Sequence, residues 1–140
     1  MQIIIINGPN LNLVGEREPD IYGVIGFDQY IPVLQAKFPD HTISYFQSNV
    51  EGELINQLHA SRKEADAIVL NAGAYTHTSL AIGDAVASLQ IPVIEVHMSN
   101  VFAREEIRHH SFISKYAKAV VCGMGLQSYE MAIRFLTASV

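Results

Sequence analysis

Charge is scarce in this chain. Asp, Glu, Lys and Arg make up 16% of its 140 residues, against roughly a quarter in ordinary soluble domains. A surface so poor in charge points to subunit contacts that cover part of it. Basic clusters are missing too, and the net charge is −5, which argues against nucleic acid or an anionic membrane surface as the main partner. Cys122 is the one cysteine, so an internal disulfide is impossible and a reducing compartment is the better fit. No apolar run approaches the ~20 residues of a membrane span. The start, MQIIIINGP, carries neither a basic segment nor a small-residue cleavage site. The expectation is a cytoplasmic protein with a single domain over residues 1–140.

Several site signatures are also absent. There is no G-x-G-x-x-G, and GPNLNLVG lacks the lysine of a phosphate-binding P-loop. A phospho-receiver would want acidic residues after its first strand and an Asp ending its third, but Asn7 and Asn71 stand there. His109 and His110 are adjacent and cannot share a helix face, which argues against a metal. Lys37, Lys63, Lys115 and Lys118 all fall away from strand ends, where a Schiff base would be built. Cys122, inside an apolar strand, reads as a buried structural thiol. No metal is expected from these residues.

What is present alternates regularly. Gln2 to Ile6 is a β-branched run, ended by Asn7-Gly8-Pro9, that reads as a strand buried on both faces. The connection after it is rich in Gly, Pro, Asn and charge, and reads as a lid or binding loop over about residues 10–23, or else as a floppy insertion, a reading that Arg17 and Tyr22 within it weaken. Phe27, Tyr30, Ile31, Leu34 and Phe38 recur at helical spacing, with Pro32 either in the first turn or at a kink. Thr42 to Gln47 is a second strand. Ser48-x-x-Glu51 predicts a capping box for a helix carrying Leu54, Ile55 and Leu58. Ala67 to Leu70 is a third strand, NAGAYTHTS a tight polar loop, and Leu80 to Leu89 a helix. IPVIEVH forms a fourth strand and Arg104 to Arg108 a short helix. Ala119 to Cys122 is a fifth strand, and a last helix ends near Leu136. This alternation implies one parallel sheet covered on both faces by helices, with the flavodoxin-like order 2-1-3-4-5.

In such a sheet, ligands bind beyond the carboxyl ends of the strands, beside strand one. The polar residues cluster there. Asn10, Arg17 and Tyr22 follow strand one, Asn71 and His77 follow strand three, and Glu95 to Asn100 close strand four. Glu95 and His97 point to the same face of their strand, so the carboxylate can hold the imidazole and fix its tautomer. The pair reads either as a structural ion pair or as an oriented acid-base histidine. Arg17, Arg104 and Arg108 supply positive charge, although Arg104 and Arg108 could simply pair with Glu105 and Glu106. Backbone N–H groups around Met98, Ser99 and Asn100 are suited to a carboxylate. From the residues alone, the chain is an enzyme or a binder for a small polar anion.

GPNLNLVGEREPDIYG, FQSNVEGELI, NAGAYTHTS and IEVHMSNVFAREEIRHHS together closely resemble the type II 3-dehydroquinate dehydratases, over essentially the whole chain. The resemblance implies dehydration of 3-dehydroquinate to 3-dehydroshikimate without metal or cofactor. It also implies homotrimers, commonly four of them packed as a dodecamer. By position, Tyr22 would be the base that removes the C2 proton, and Arg17 would lower the pKa of that tyrosine. Asn10 would place a water on the enolate oxygen. His97, held by Glu95, would protonate the departing hydroxyl. Asn71, His77 and Arg108 would bind substrate hydroxyls, Met98 and Ser99 its carboxylate, and Asp84 would reach a neighbouring subunit's site. The chain departs from the family pattern at Phe102, where histidine is frequent, at Lys115, where proline is common, and at Gly26 and Pro32.

Overall fold

Isoleucine at four consecutive positions gives β1 (Gln2–Asn7) no polar face, so the strand is stable only with both faces covered. The computed structural model describes residues 1–16 and 24–138. It places β1 inside a five-stranded, all-parallel sheet of order β2-β1-β3-β4-β5, the expected flavodoxin-like arrangement. The other strands are β2 (Thr42–Gln47), β3 (Ala67–Asn71), β4 (Val93–His97) and β5 (Ala119–Cys122). They are covered by α1 (Phe27–Lys37), α2 (Glu51–Glu64), α3 (Leu80–Ala87) and α4 (Gln127–Thr137). Among the described residues, no helix is long and apolar enough to cross a membrane.

Side-chain alternation sorts the core into two layers. Ile3 and Ile5, with Val69, Ile94 and Val96, pack against α1 and α4 through Phe27, Leu34, Tyr129 and Ile133. Ile4 and Ile6, with Ile68, Leu70 and Val93, pack against α2 and α3 through Leu54, Leu58, Ile82 and Val86. Each fully buried aliphatic side chain contributes ~1.5–3 kcal/mol, so a strand slipped by one residue would exchange both layers at once. The residues that end each strand inherit their face from this alternation. Asn7 and Asn71 fall on the α1/α4 face, and Glu95 and His97 on the α2/α3 face.

Three local expectations change, and the one for Pro32 narrows. Ser48 does not cap α2: the N-cap is Val50, without a side-chain bond. Ser48 Oγ instead accepts from the Val50 N–H at 2.9 Å and bonds Glu53 rather than Glu51, because it stands two residues before the cap. Pro32 lies past the first turn of α1, on its exposed side, so the carbonyl it leaves unpaired belongs to exposed Asp28. Arg104 to Arg108 is not one helix. Two 3-10 turns, Val101–Ala103 and Glu106–His109, are separated by extended backbone at Arg104. Cys122 is half-buried rather than buried, because β5 is an edge strand. The predicted lid is described only up to residue 16, and Arg17 and Tyr22 lie outside the described residues.

Candidate active site

The chain moves from β1 out to β2 and then back across to β3, and this reversal opens a crevice at the carboxyl ends of β1 and β3. The loops on its two sides press together. A Cβ on Gly8 would sit 2.4 Å from the Ala72 carbonyl oxygen, so only glycine fits there. The Gly8 N–H donates to the Asn71 carbonyl at 2.7 Å. The crevice holds a cavity of about 200 Å³, lined by residues that follow β1, β3 and β4.

Glu95 and His97 end β4 almost fully buried, at 1% and 6% exposure. A buried carboxylate survives only with its lone pairs filled, and here they are. His97 Nε2 lies 2.7 Å from Glu95 Oε1, Ser111 Oγ donates to Oε1 at 2.9 Å, and Ser114 Oγ donates to Oε2 at 2.5 Å. Ser111 Oγ also accepts the N–H groups of Ile113 and Ser114, which leaves its own proton for Glu95. Burial pushes the Glu95 carboxyl up, but the bonds from His97, Ser114 and Ser111 outweigh it and hold the group below its ordinary value. An ionised Glu95 keeps a proton on Nε2 of His97. Nδ1 is then the ring nitrogen left to exchange a proton with a ligand in the cavity that His97 lines.

His77 ends the 3-10 turn Gly73–His77, with its ring stacked on that of His97 at a centroid distance of 5.9 Å. Its Nδ1 lies 2.7 Å from the His110 carbonyl oxygen, which fixes the proton on Nδ1 and leaves Nε2 as an acceptor. Burial, helped by His97 and Arg108, lowers its pKa against the raising effects of the His110 carbonyl and Glu95. His77 is therefore a neutral hydrogen-bonding group.

Across the sheet, Asn71 Nδ2 donates to Tyr129 Oη at 2.7 Å, and Tyr129 Oη donates to Asn7 Oδ1 at 2.9 Å. Asn7 Nδ2 continues to Tyr45 Oη at 3.4 Å, and Asn71 Oδ1 accepts the Gly73 N–H at 3.2 Å. This chain of bonds sets the Asn71 amide in one orientation at the cavity wall. Tyr129 is fully buried, and burial drives its pKa far above the ordinary phenol value, so it stays protonated.

The rim carries the charge. Arg104 and Arg108 both line the cavity, and among the described residues no carboxylate does. Arg108 Nε donates to Glu105 Oε2 at 2.8 Å, Arg104 Nε is 3.7 Å from the same oxygen, and Arg104 Nη1 reaches Ser99 Oγ at 3.4 Å. The two sequence readings of these arginines therefore hold together: they pair with Glu105 and they also face the cavity. Asn10, Met98 and Ser99 complete the set.

Of the residues expected from sequence, the cavity brings together Asn10, Asn71, His77, His97, Met98, Ser99 and Arg108, with Glu95 behind His97. Asp84 lies on the exposed side of α3, outside the cavity of its own chain. Arg104 belongs to the cavity wall as well as to the supply of charge. Ser111, Ser114 and Tyr129 are site residues that the sequence reading does not find, and Asn7 enters it only as the end of strand one. Their only signals were a serine pair three apart and a phenol on the apolar side of α4.

The sequence profile of the family "Dehydroquinase class II" matches residues 1–137. The 3-dehydroquinate dehydratase of Dinoroseobacter shibae is 49% identical over 135 residues, 95% of this chain and 90% of that protein. That of Actinobacillus pleuropneumoniae is 48% identical over 136 residues, 96% of this chain and 88% of the relative. The crystal structure of the type II dehydroquinase from Butyrivibrio crossotus superposes with a TM-score of 0.94 at 42% identity, covering 99% of this chain and 98% of that one. Agreement at this level, in sequence and in backbone along nearly the full length, assigns the chain to the class II dehydroquinase family.

Proposed function

We propose that this protein is a 3-dehydroquinate dehydratase, a hydro-lyase that converts 3-dehydroquinate to 3-dehydroshikimate. The observation that carries the reading is the ionised Glu95 behind His97, which leaves Nδ1 of that histidine to a cavity with two arginines and no carboxylate among its described lining. Relatives named for this activity support it.

In this reaction Tyr22, as phenolate, takes the C2 proton, and the electron pair moves into the C3 carbonyl to give an enolate. A water placed by Asn10 hydrogen-bonds the enolate oxygen. The enolate then collapses, the C1–C2 double bond forms, and the C1 hydroxyl leaves as water with a proton from His97. Solvent returns Tyr22 and His97 to their starting protonation. A phenol with an ordinary pKa of ~10 needs a neighbouring cation to serve as base near neutrality, which is the role assigned to Arg17. Asn71, His77 and Arg108 bind the hydroxyls. Ser99 and the backbone at Met98 take the carboxylate. Each subunit of a homotrimer would receive Asp84 from its neighbour, with four trimers forming a dodecamer. The reading places the enzyme in the cytoplasm and in the shikimate or quinate pathway.

Direct assay tests the reading. Adding 3-dehydroquinate should produce conjugated-enone absorbance that saturates with substrate and survives both chelator and borohydride. Saturable binding without that absorbance would reduce the protein to a binding module. Covalent capture on a lysine would make it an imine-forming enzyme.

A further inference from the structure

We propose that Asn49 is a positioning residue for the site: its side-chain carbonyl locks the left-handed backbone of Asn10, and with it the direction from which the Asn10 amide enters the cavity. The proposal rests on the role given to Asn10 above.

Asn10 has φ 68° and ψ −5°, and it is the one non-glycine residue with positive φ among the described residues. Asparagine tolerates this region better than most side chains, but the steric cost remains. The conformation persists only if something holds it. Its carbonyl accepts the Leu13 N–H at 3.1 Å, a local bond of the turn. Its N–H donates to Asn49 Oδ1 at 2.9 Å, across 39 residues of sequence. This second bond ties the left-handed residue to the rest of the fold.

Asn49 is itself fixed from both sides. Gln47 Nε2 donates to Asn49 Oδ1 at 3.2 Å and to the Gly8 carbonyl at 3.2 Å. Tyr75 Oη donates to the Asn49 carbonyl at 3.2 Å, and Tyr75 belongs to the same 3-10 turn as His77. Asn49 therefore joins the loop after β1 through its side chain and the loop after β3 through its backbone carbonyl, although neither it nor Gln47 lines the cavity. Without the Asn49 acceptor, Asn10 relaxes toward a conformation with negative φ and its amide swings away from where the enolate oxygen forms. Substrate binding depends mainly on other groups, so the loss falls on turnover.

Wild-type turnover of 3-dehydroquinate tests the activity, and Asn10→Gly tests the role of that residue. Both are read before any Asn49 variant, so failure of those readings is seen separately. Asn49→Ala should lower kcat by about 10- to 100-fold, the usual scale for misplacing a working group by about 1 Å. KM should stay within about threefold. Asn49→Asp keeps the acceptor and should recover most of kcat. In the Asn10→Gly background, Asn49→Ala should cost nothing further, because the two act as one unit. Losses that multiply in the double variant would overturn the proposal. So would a lowered melting temperature with unchanged kcat for Asn49→Ala, or an Asn49→Asp variant as slow as the alanine.

Discussion

On the α1/α4 face, β1 and β3 end in the amides Asn7 and Asn71, bonded to the phenols of Tyr129 on α4 and Tyr45 on β2. On the α2/α3 face, the sheet ends in Glu95 and His97, held by Ser111 and Ser114. Both clusters are well bonded, with Asn7, Asn71, Tyr129, Glu95 and His97 buried at their centres, and both stand at the cavity. They differ in whether they can change charge. Burial raises the Tyr129 pKa far above the ordinary phenol value and keeps the group protonated, so its cluster orients Asn71 without changing charge. The other cluster contains an ionised carboxylate on an imidazole, and moving a proton there changes both stability and chemistry. One fold thus carries a rigid wall and a titrating wall, and the division follows from which way each strand end points.

The largest effect separates the two walls by activity. His97→Ala should cut net dehydration by about 10²–10⁴-fold, the span of an acid-base group. Exchange of the substrate C2 proton with deuterated solvent, followed by NMR, should persist, because that step is assigned to Tyr22. If exchange falls as far as dehydration does, His97 takes part in the first step as well. Tyr22→Phe should give the opposite pattern, with exchange and dehydration lost together.

Glu95→Gln comes next. It keeps the shape but removes the charge that holds Nε2, and turnover should drop at least about 10-fold, because the other tautomer of His97 becomes accessible. Stability should change with it. Because the Glu95 pKa lies below its ordinary 4.5 in the fold, its ionised form contributes stability above that ordinary value. The contribution is lost as pH falls through the lower folded value. Urea midpoints across the acid range should fall steeply for the wild type and more gently for Glu95→Gln.

Tyr129→Phe probes the rigid wall. Asn71 Nδ2 and Asn7 Oδ1 each lose a buried partner, at a cost of about 1–3 kcal/mol. The loss should be equal at about pH 5 and about pH 8, since no phenol titrates there. A pH-dependent loss would merge the two clusters into one network.

His77→Gln should have the smallest effect on stability. The His77 pKa lies below its ordinary 6.5, so its neutral form contributes stability that is complete above 6.5 and is lost as pH falls toward the folded value. The variant should remove that shallow slope from the urea midpoints and leave the Glu95 slope at lower pH intact.

How much of this was legible in the residues depends on the range of the interactions. Strand alternation is local, so the run from Ile3 to Ile6, the shared face of Glu95 and His97, and the order of the sheet could all be read from spacing. The crevice followed from the order, and with it the gathering of Asn10, Asn71, His77 and Ser99. The partners of these residues come from far along the chain and could not be read. Asn71 meets Tyr129 across 58 residues, Glu95 meets Ser114 across 19, and Asn10 meets Asn49 across 39. A hydroxyl or amide carries no periodic signal of its own, because its role depends on which donor or acceptor the packed layers bring within 3 Å. The capping expectation at Ser48 failed for a related reason. Ser-x-x-Glu is a local pattern, but α2 begins one residue after Val50, so Ser48 bonds the Val50 N–H and Glu53 instead. The sequence by itself determined the sheet, its two faces and the chemical types at its ends. Only the tertiary structure decided which polar atoms meet, because burial makes each of them find a partner and the fold alone determines which one is in reach.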